Sequence, residues 1–290
     1  MEFSNKNKKF LRQILYYFCR YISEKNIINN KQLAGFSFDA VFNYINIFGI
    51  YEFNELSLAK KFILQNVQKP NLALDLGANI GNHTVNLFSD LFNEVHCYEP
   101  NEKIYNLLKI NCNELSNVKL KNFGISDVNE TAVLEHFHTN LGASRVSEKT
   151  SINLDIDKKN FSKIELKKLD DIYKNESKKI DLIKLDIEGY ELKALKGGER
   201  IIKEHLPIII FEENNINKEG GSKVINYLKD LNYEFYTLDE NFDFGQGKIF
   251  KLIKFFLQDI FGTKIKLKKK KIFKNKFYHL IFAKNINYQN

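Results

Sequence analysis

The stretch Leu74-Asp75-Leu76-Gly77-Ala78-Asn79-Ile80-Gly81-Asn82-His83-Thr84 decides the fold of this 290-residue chain. A short apolar run ends in an acid, and a glycine loop then leads into a helix. Gly77 lets the backbone pass close to a ligand, and Gly81 permits a tight entry into the helix. Dinucleotide-binding enzymes carry Gly-x-Gly-x-x-Gly here, because a pyrophosphate needs exposed amides at the helix start. The spacing Gly-x-x-x-Gly after Asp75 instead suits a cationic ammonium group, which argues against a nicotinamide oxidoreductase.

Two further acidic motifs follow apolar runs. Glu99, in Cys97-Tyr98-Glu99-Pro100-Asn101, lies about 20 residues past the glycine loop, where a carboxylate can accept hydrogen bonds from both hydroxyls of a ribose. Asp186 and Glu188 lie in Ile183-Lys184-Leu185-Asp186-Ile187-Glu188-Gly189-Tyr190-Glu191. So many acids at the carboxyl edge of a sheet indicate a functional site.

Short apolar runs alternate with helical stretches from residue 72 onward. The predicted strands are Leu72–Leu76, Glu94–Tyr98, Val118–Asn122, Leu182–Leu185, Ile208–Phe211, Tyr233–Leu238 and Tyr278–Ala283. The predicted helices are Asn82–Phe88, Ile104–Glu114, Glu191–Lys203 and Ser222–Leu231. This alternation is typical of an α/β fold with a mostly parallel sheet and helices on both faces. No clear helix joins the last two strands, so we expect one of them to run antiparallel. A flap at about 130–164 and a basic insertion at about 241–276 interrupt the scheme.

Together these motifs resemble the FkbM family of methyltransferases. The resemblance rests on the string from Leu72 to Asn214, with Lys196-Gly197-Gly198, and on the edges Gly49-Ile50-Tyr51-Glu52 and Tyr278–Lys284. It implies a class I (Rossmann-like) methyltransferase fold with a seven-stranded sheet and S-adenosyl-L-methionine as the cofactor. It also implies O-methylation, often of sugar hydroxyls. We therefore expect an N-terminal helical extension over residues 1–48 and a methyltransferase domain over residues 49–290.

The resemblance also implies the residues of the site. The cofactor residues of the family correspond to Asp75, Gly77, Asn79, Gly81 and Glu99, with Asp186 near the reactive methyl group. We extend the predicted cofactor site to the neighbouring Glu52, Ala78, Asn82, Thr84, Pro100 and Asn122. The predicted catalytic residues are Asp186 and Glu188, which orient and deprotonate the acceptor hydroxyl. We predict no metal; the alternative is magnesium held by Asp186, Glu213 and Asn214, because oxygen ligands suit that ion.

The formal net charge of +8 is concentrated in two segments. Lys248–Lys276 contains eleven lysines and one acid, and Met1–Lys31 contains seven basic residues and two acids, so the remaining chain is acidic. Residues 249–260 have an apolar and a basic face, and with Lys268–Lys271 they predict contact with an anionic membrane. The alternative is a helix packed on the body beside a solvated charge run. In Met1–Lys31 we predict a basic, aromatic-rich helix packed on the body through Phe10, Leu11, Ile14, Leu15 and Phe18.

Three functions remain in competition. We favour methyl transfer from S-adenosylmethionine to a hydroxyl of a sugar in a surface glycan or glycolipid. An RNA ribose methyltransferase is suggested by the basic segments, but the acids of Asp186–Gly189 suit phosphates poorly, so we do not expect nucleic acid as a partner. The third is a catalytically inactive methyltransferase fold that serves as a membrane or scaffold module. The oligomeric state stays open.

The cysteine count and the hydropathy bear on location. Three cysteines without a Cys-x-x-Cys pair indicate a reducing compartment. No apolar run reaches the roughly 18 residues of a membrane span, and no secretory signal pattern is visible. We expect a cytoplasmic protein with peripheral contact at the inner face of the membrane.

Overall fold

The computed structural model describes residues 5–25, 32–137, 141–147, 160–213, 216, 222–240, 265–274 and 277–288. The helices of this part are α1 (Asn5–Lys25), α2 (Ala40–Phe48), α3 (Phe53–Asn66), α4 (Ser89–Leu91), α5 (Glu102–Asn111), α6 (Leu169–Ile172), α7 (Glu191–Gly197), α8 (Glu199–His205) and α9 (Lys223–Asp230). The strands are β1 (Leu72–Leu76), β2 (Glu94–Tyr98), β3 (Val118–Lys121), β4 (Gly124–Ile125), β5 (Glu130–Glu135), β6 (Arg145–Val146), β7 (Phe161–Lys167), β8 (Ile180–Leu185), β9 (Ile208–Glu213), β10 (Tyr233–Glu240), β11 (Ile265–Lys270) and β12 (Tyr278–Asn285).

The main sheet has the strand order β11-β10-β12-β9-β8-β1-β2-β3. Each of the seven predicted strands is present, and the predicted α/β fold with a mostly parallel sheet is confirmed. The predicted count of seven was wrong, because β11 adds an eighth strand at the edge. In β11, Ile265 and Leu267 are half-buried while Lys266 and Lys268 are exposed. This two-residue alternation marks a strand with one solvated face, and the surrounding lysines conceal it in the sequence.

As expected, one of the last two predicted strands runs antiparallel to its neighbours. β12 pairs antiparallel with both β9 and β10, whereas β8, β1, β2 and β3 are parallel neighbours. The predicted helix Glu191–Lys203 is in fact two helices that meet at Gly198. The predicted helix Asn82–Phe88 is present: residues 82–91 are helical, with a π-helical segment over Thr84–Phe88 that leads into α4.

A second, smaller sheet contains the predicted flap. Its order is β4-β7-β5-β6, with β5 and β7 antiparallel. Leu134, Ile164 and Leu166 form its small buried core, against which Tyr190 packs. The flap therefore joins the main domain beside the start of α7; residues 138–140 and 148–159 of it lie outside the described part.

Two apolar layers enclose the main sheet. All five residues of β1 and all six of β8 are buried, as expected for central strands covered on both faces. On one face, Phe62 of α3 packs against the rings of Tyr236 and Phe282. This rigid centre fixes the carboxyl ends of the strands, where the motifs lie.

The N-terminal helix differs from its prediction. The five residues expected to pack on the body are 50–65% exposed, and α1 contacts the neighbouring helix α2. The predicted basic helix 249–260 lies outside the described residues, whereas Lys268–Lys270 belong to β11. Among the helices of the described part, none combines the length and apolar character needed to cross a membrane.

Candidate functional site

The loop after β1 passes unusually close to the end of β8. Gly77 has a φ of +76°, and a Cβ atom there would lie 1.8 Å from the carbonyl oxygen of Asp186. The Gly77 and Ala78 amides donate hydrogen bonds to the carbonyl oxygen of Tyr98 at 2.9 and 3.0 Å. Glycine is therefore required at position 77, because no side chain fits between these two strand ends.

A buried ammonium group holds the strand ends together. Lys184 Nζ donates a hydrogen bond to the Gly77 carbonyl oxygen at 2.9 Å. It lies 3.3 Å from both Asp75 Oδ1 and Asp186 Oδ2. Burial alone lowers the pKa of Lys184, but the two carboxylates raise it further, so the net shift is upward and the group stays charged.

Other residues of the protein contact the Asp75 carboxylate. Its carboxylate is fully buried, accepts a hydrogen bond from Thr84 Oγ1 at 2.7 Å and pairs with Lys184. Asp75 and Thr84 thus lie behind the glycine loop and line neither of the two cavities described below. Their contacts indicate that they shape the loop.

An apolar cavity of about 560 Å³ opens beside the end of β2. Its walls include Tyr98, Pro100, Ile125, Leu134 and Leu166, so the flap forms one side. Glu99 and Asp186 supply carboxylates to this lining. The cavity therefore combines apolar walls with carboxylate hydrogen-bond acceptors.

Glu99 is held by main-chain donors. Its Oε1 and Oε2 atoms accept hydrogen bonds from the amides of Asn101 (2.8 Å) and Asn79 (3.1 Å). Burial raises the pKa of Glu99 to about 7 despite these bonds. Asn122 Nδ2 donates to the Glu99 carbonyl oxygen at 2.8 Å and so fixes the backbone that carries the carboxyl group.

A second cavity of about 820 Å³, here called the acidic cavity, shares Gly142, Asp186 and Glu188 with the apolar cavity. The polar and charged side chains of its lining are Tyr51, Glu52, Asn79, Asn82, His83, Lys184, Asp186, Glu188, Glu212 and His279. Asp186 and Glu188 therefore lie where the two cavities meet.

Glu52 and His83 form a pair in the acidic cavity. His83 Nε2 lies 2.9 Å from Glu52 Oε2. Burial raises the pKa of Glu52, but the hydrogen bond and charge of His83 lower it more, so the net shift is downward. Asn82 Nδ2 donates to the Tyr51 carbonyl oxygen at 2.9 Å and ties the π-helical turn to the segment before α3.

Glu212 faces other acids across the acidic cavity. Burial, followed by the charges of Asp186 and Glu52, raises the pKa of Glu212 to about 9. Ligand atoms of Glu52, Glu212 and His279 lie within 4.8 Å of one another, a spacing that suits a metal ion. Of the magnesium ligands considered from the sequence, Glu213 is buried on β9 and Asn214 lies outside the described residues, so that set stays a prediction.

The structure divides the predicted site residues into two groups. Those that line a cavity are Glu52, Gly77, Ala78, Asn79, Asn82, Glu99, Pro100, Asp186 and Glu188. Those that lie behind the lining are Asp75, Gly81, Thr84 and Asn122. Gly81 has a φ of +93°, and a Cβ there would lie 2.9 Å from Leu108 Cδ1, so it packs the loop against α5.

Sequence reasoning assigned no role to Lys184, Glu212 or His279. The available signal for Lys184 was a charged residue between the apolar neighbours Ile183 and Leu185 in a predicted buried strand. Glu212 was passed over for its neighbour Glu213; of the pair only Glu212 lines the acidic cavity, although both border a further cavity at the start of α7 and α9. Nothing in the local sequence around His279 indicates its proximity to Glu52.

Comparison with known proteins places the chain in a family. A family model described as Methyltransferase FkbM domain matches residues 75–235, more than half of the chain. No curated protein matches it.

Solved structures resemble it distantly. The methyltransferase FkbM from Methylobacillus flagellatus KT is 18% identical with a TM-score of 0.34, over 71% of this chain and 49% of that one, so this chain spans about half its length. A putative methyltransferase from Streptococcus mutans in complex with SAH is 14% identical with a TM-score of 0.38, over 79% and 97%. An rRNA methylase from Streptococcus thermophilus is 13% identical with a TM-score of 0.39, over 79% and 95%. Likenesses of this size carry no information about the substrate.

Proposed function

Because this chain belongs to the FkbM family of S-adenosylmethionine-dependent methyltransferases, we propose that it methylates a hydroxyl group of a sugar in a surface glycan or glycolipid. The observation that carries this proposal is the junction of the apolar and acidic cavities at Asp186 and Glu188. The apolar cavity has a lining that suits a nucleoside, and the acidic cavity has a lining that suits a polar acceptor. A transferred group has to pass where the two meet.

The apolar cavity fits the adenosine part of the cofactor. Tyr98, Pro100 and Ile125 provide a flat apolar surface for a base, and Glu99 provides a carboxylate for the ribose hydroxyls. Asn79 and Asp186, on the acidic side, supply polar groups for the methionine part. When bound, S-adenosylmethionine supplies an electrophilic methyl group on a positively charged sulfur.

In the proposed mechanism the protein mainly positions the acceptor. One of the two carboxylates, Asp186 or Glu188, accepts the hydrogen bond of the reacting hydroxyl, and the other helps to orient the acceptor. The accepting carboxylate takes the proton as the hydroxyl oxygen bonds to the methyl carbon, whose bond to sulfur would break with its electrons remaining on the sulfur. Lys184, 3.3 Å from Asp186 Oδ2, is a positioning residue that fixes the Asp186 carboxylate at the cavity junction. The His83–Glu52 pair provides a further polar contact for the acceptor.

The charge of the acidic cavity bears on the choice of acceptor. Glu52, Asp186, Glu188 and Glu212 contribute four carboxyl groups, of which Glu212, with its pKa raised to about 9, stays protonated near neutral pH. Lys184 is already paired with Asp75 and Asp186. Such a lining repels the phosphates of RNA, whereas neutral sugar hydroxyls are good donors to carboxylates. We therefore prefer a neutral sugar to the RNA ribose alternative.

Calorimetric titration with S-adenosylmethionine tests the cofactor site. We expect the wild type to bind, and Glu99→Gln, which keeps the shape of the side chain, to bind at least tenfold more weakly, about 1.4 kcal/mol. The exposed substitution Glu114→Gln is the matched control and should bind like the wild type. Equal affinity of Glu99→Gln and the wild type would remove Glu99 from the site.

Turnover tests the acceptor and the proposed base. We expect methylation of neutral lipid-linked or free glycans in preference to RNA transcripts. Asp186→Ala should lose turnover while it still binds S-adenosylmethionine at least weakly. Near-normal turnover of that variant would exclude Asp186 from the mechanism, and efficient methylation of RNA would overturn the proposed acceptor.

A further inference from the structure

Within the described part of the chain, the helices α1 and α2 expose a largely apolar surface. Along α1, the eight large apolar side chains that are 50–65% exposed are Phe10, Leu11, Ile14, Leu15, Tyr16, Tyr17, Phe18 and Tyr21. The helix α2 has the sequence Ala-Val-Phe-Asn-Tyr-Ile-Asn-Ile-Phe and no buried residue. Exposed apolar patches of this extent mark interaction sites.

The sequence of α1 is also basic. The sequence of α1 contains six basic residues and one acid, whereas the chain outside its two basic segments is acidic. Aromatic residues interleaved with lysine and arginine on one helix are typical of helices that lie in the interface of an anionic bilayer. Two copies of a helix with this charge would repel each other, which disfavours self-association as the occupant.

The surface lies next to the acidic cavity. Val41 of α2 lines that cavity. The ring of Tyr44, 42% exposed on α2, makes an edge contact with the ring of Tyr51, which also lines the cavity, at 5.3 Å between centroids. Phe38, Phe48 and Phe53, each more than half exposed, extend the patch around α2. A bilayer against this face would therefore lie near the opening of the acceptor site.

We propose that α1 and α2 bind the surface of an anionic phospholipid bilayer, so that an acceptor attached to a lipid reaches the acidic cavity from the membrane. The bilayer contact stands independently of the chemistry, and only the lipid attachment of the acceptor rests on the proposed function. The helix α1 lies along the interface, with aromatic side chains among the acyl chains and basic side chains at the headgroups.

Vesicle sedimentation with the full chain tests the contact. We compare vesicles of phosphatidylcholine with vesicles that also contain phosphatidylglycerol, at about 0.1 M and about 0.5 M salt. The variant Leu11→Gln, Leu15→Gln, Phe18→Gln removes apolar groups from one face of α1 and keeps residues that favour a helix. The matched control, Leu64→Gln, Ile110→Gln, Val128→Gln, changes three exposed apolar residues elsewhere.

We expect the wild type and the control to bind anionic vesicles at least tenfold more tightly than neutral ones, with weaker binding at high salt. The α1 variant should lose at least tenfold in affinity for anionic vesicles, while calorimetry shows unchanged S-adenosylmethionine binding. Absence of binding to anionic vesicles at low salt, or equal binding of the α1 variant, overturns the proposal. Self-association that the α1 variant abolishes, without vesicle binding, also overturns it and makes a second copy the occupant.

A fluorescence measurement reports insertion directly. The chain contains no tryptophan, so Tyr17→Trp introduces a single reporter on α1. We expect its emission to shift to shorter wavelength when anionic vesicles are added, because the indole leaves water. Tyr105→Trp on α5 should not shift. An unshifted Tyr17→Trp emission in the presence of bound vesicles contradicts the proposed orientation of α1.

Discussion

At the scale of single residues, Lys184 links the geometry of the glycine loop to its electrostatics. The ammonium group lies between a carboxylate that is fully buried and one that reaches the cavities, and it also holds the Gly77 carbonyl oxygen. Asp75 would be an uncompensated buried charge without it. The cation therefore has a structural role behind the loop and a positioning role at Asp186.

The substitution Lys184→Met should reduce the free energy of unfolding by about 3–5 kcal/mol, because it leaves the Asp75 carboxylate buried and unpaired. Urea unfolding measures the loss. The double variant Lys184→Met, Asp75→Asn should recover a large part of it, since the orphaned charge is gone. Additive losses in the double variant would show that the pairing with Asp75 is not the cause.

The substitutions Gly77→Ala and Gly189→Ala distinguish the stability cost of steric overlap from that of backbone strain. Both glycines have positive φ, but a Cβ at Gly77 would overlap the Asp186 carbonyl oxygen, whereas a Cβ at Gly189 would meet nothing within 4 Å. Gly189→Ala should cost about 1 kcal/mol from the left-handed backbone. Gly77→Ala should cost more than 3 kcal/mol and abolish cofactor binding. Thermal unfolding and calorimetry measure both, and equal losses would contradict the close approach at Gly77.

The raised pKa of Glu99 makes stability depend on pH. The folded state keeps the proton up to about pH 7, while the unfolded state releases it near its ordinary value, so stability falls as pH rises between them. The loss is on the order of 3 kcal/mol. Glu99→Gln should remove this pH dependence. The free energy of unfolding of the variant should therefore exceed that of the wild type by an amount that grows from pH 4.5 to 7.5. Parallel unfolding curves against pH for the two proteins would contradict it.

At the scale of elements, Asp39 joins α2 to the flap. Its Oδ1 accepts a hydrogen bond from the Phe42 amide as the N-cap of α2, and its Oδ2 accepts one from the Leu141 amide. Leu141 begins the 3₁₀ turn Leu141–Ala143, whose Gly142 lines both cavities. One side chain thus connects the helix α2 to the wall that the two cavities share.

The comparison of two helix caps tests this connection. Asp39→Ala and Ser222→Ala each remove an N-cap hydrogen bond, to Phe42 and Ile225 respectively, and each should cost about 1 kcal/mol in urea unfolding. We expect S-adenosylmethionine binding to weaken severalfold in Asp39→Ala, because the Leu141 amide loses its partner. Ser222→Ala should bind like the wild type. Unchanged binding in both variants would show that the turn stays closed without Asp39.

The elements also show which signals a sequence carries. Central strands such as β1 and β8 are nearly unbroken apolar runs, and their ends could be read to within two residues. β11 was missed because its half-buried Ile265 and Leu267 stand among lysines. The break between α7 and α8 at Gly198 was not predicted, because it depends on packing between residues that are far apart in the sequence. A Cβ at the neighbouring Gly197 would lie 1.9 Å from the Ser126 carbonyl oxygen.

Some features of the site can likewise be read from the local sequence, whereas others depend on contacts between distant segments. Acids that end strands are visible in the sequence, because the carboxyl edge of a parallel sheet collects them. The internal use of Asp75 was not visible, since its partner Lys184 is more than one hundred residues away. The grouping of Glu52, Glu212 and His279 likewise depends on three segments that meet only in the fold.

At the scale of the whole molecule, cofactor and metal dependence are separable by thermal unfolding. S-adenosylmethionine at about 100 times its Kd should add about 2.7 kcal/mol of stability, and so raise Tm by roughly 5–10 °C. We expect a chelator to leave this shift and the turnover unchanged. Turnover that is lost in chelator and restored by magnesium would instead establish a metal, with Glu52, Glu212 and His279 as the first ligands to substitute.

Three of the left-handed residues described here are not glycines and line the acidic cavity: Glu52, Asn79 and Glu188, with φ between +50° and +58°. Each position holds conformational strain that glycine would relieve. Laboratory selection for heat resistance alone should therefore accumulate glycine at these positions and erode activity as it does so, whereas selection for turnover should retain the strained side chains. At these positions of the acidic cavity, thermal stability and catalysis therefore favour different residues.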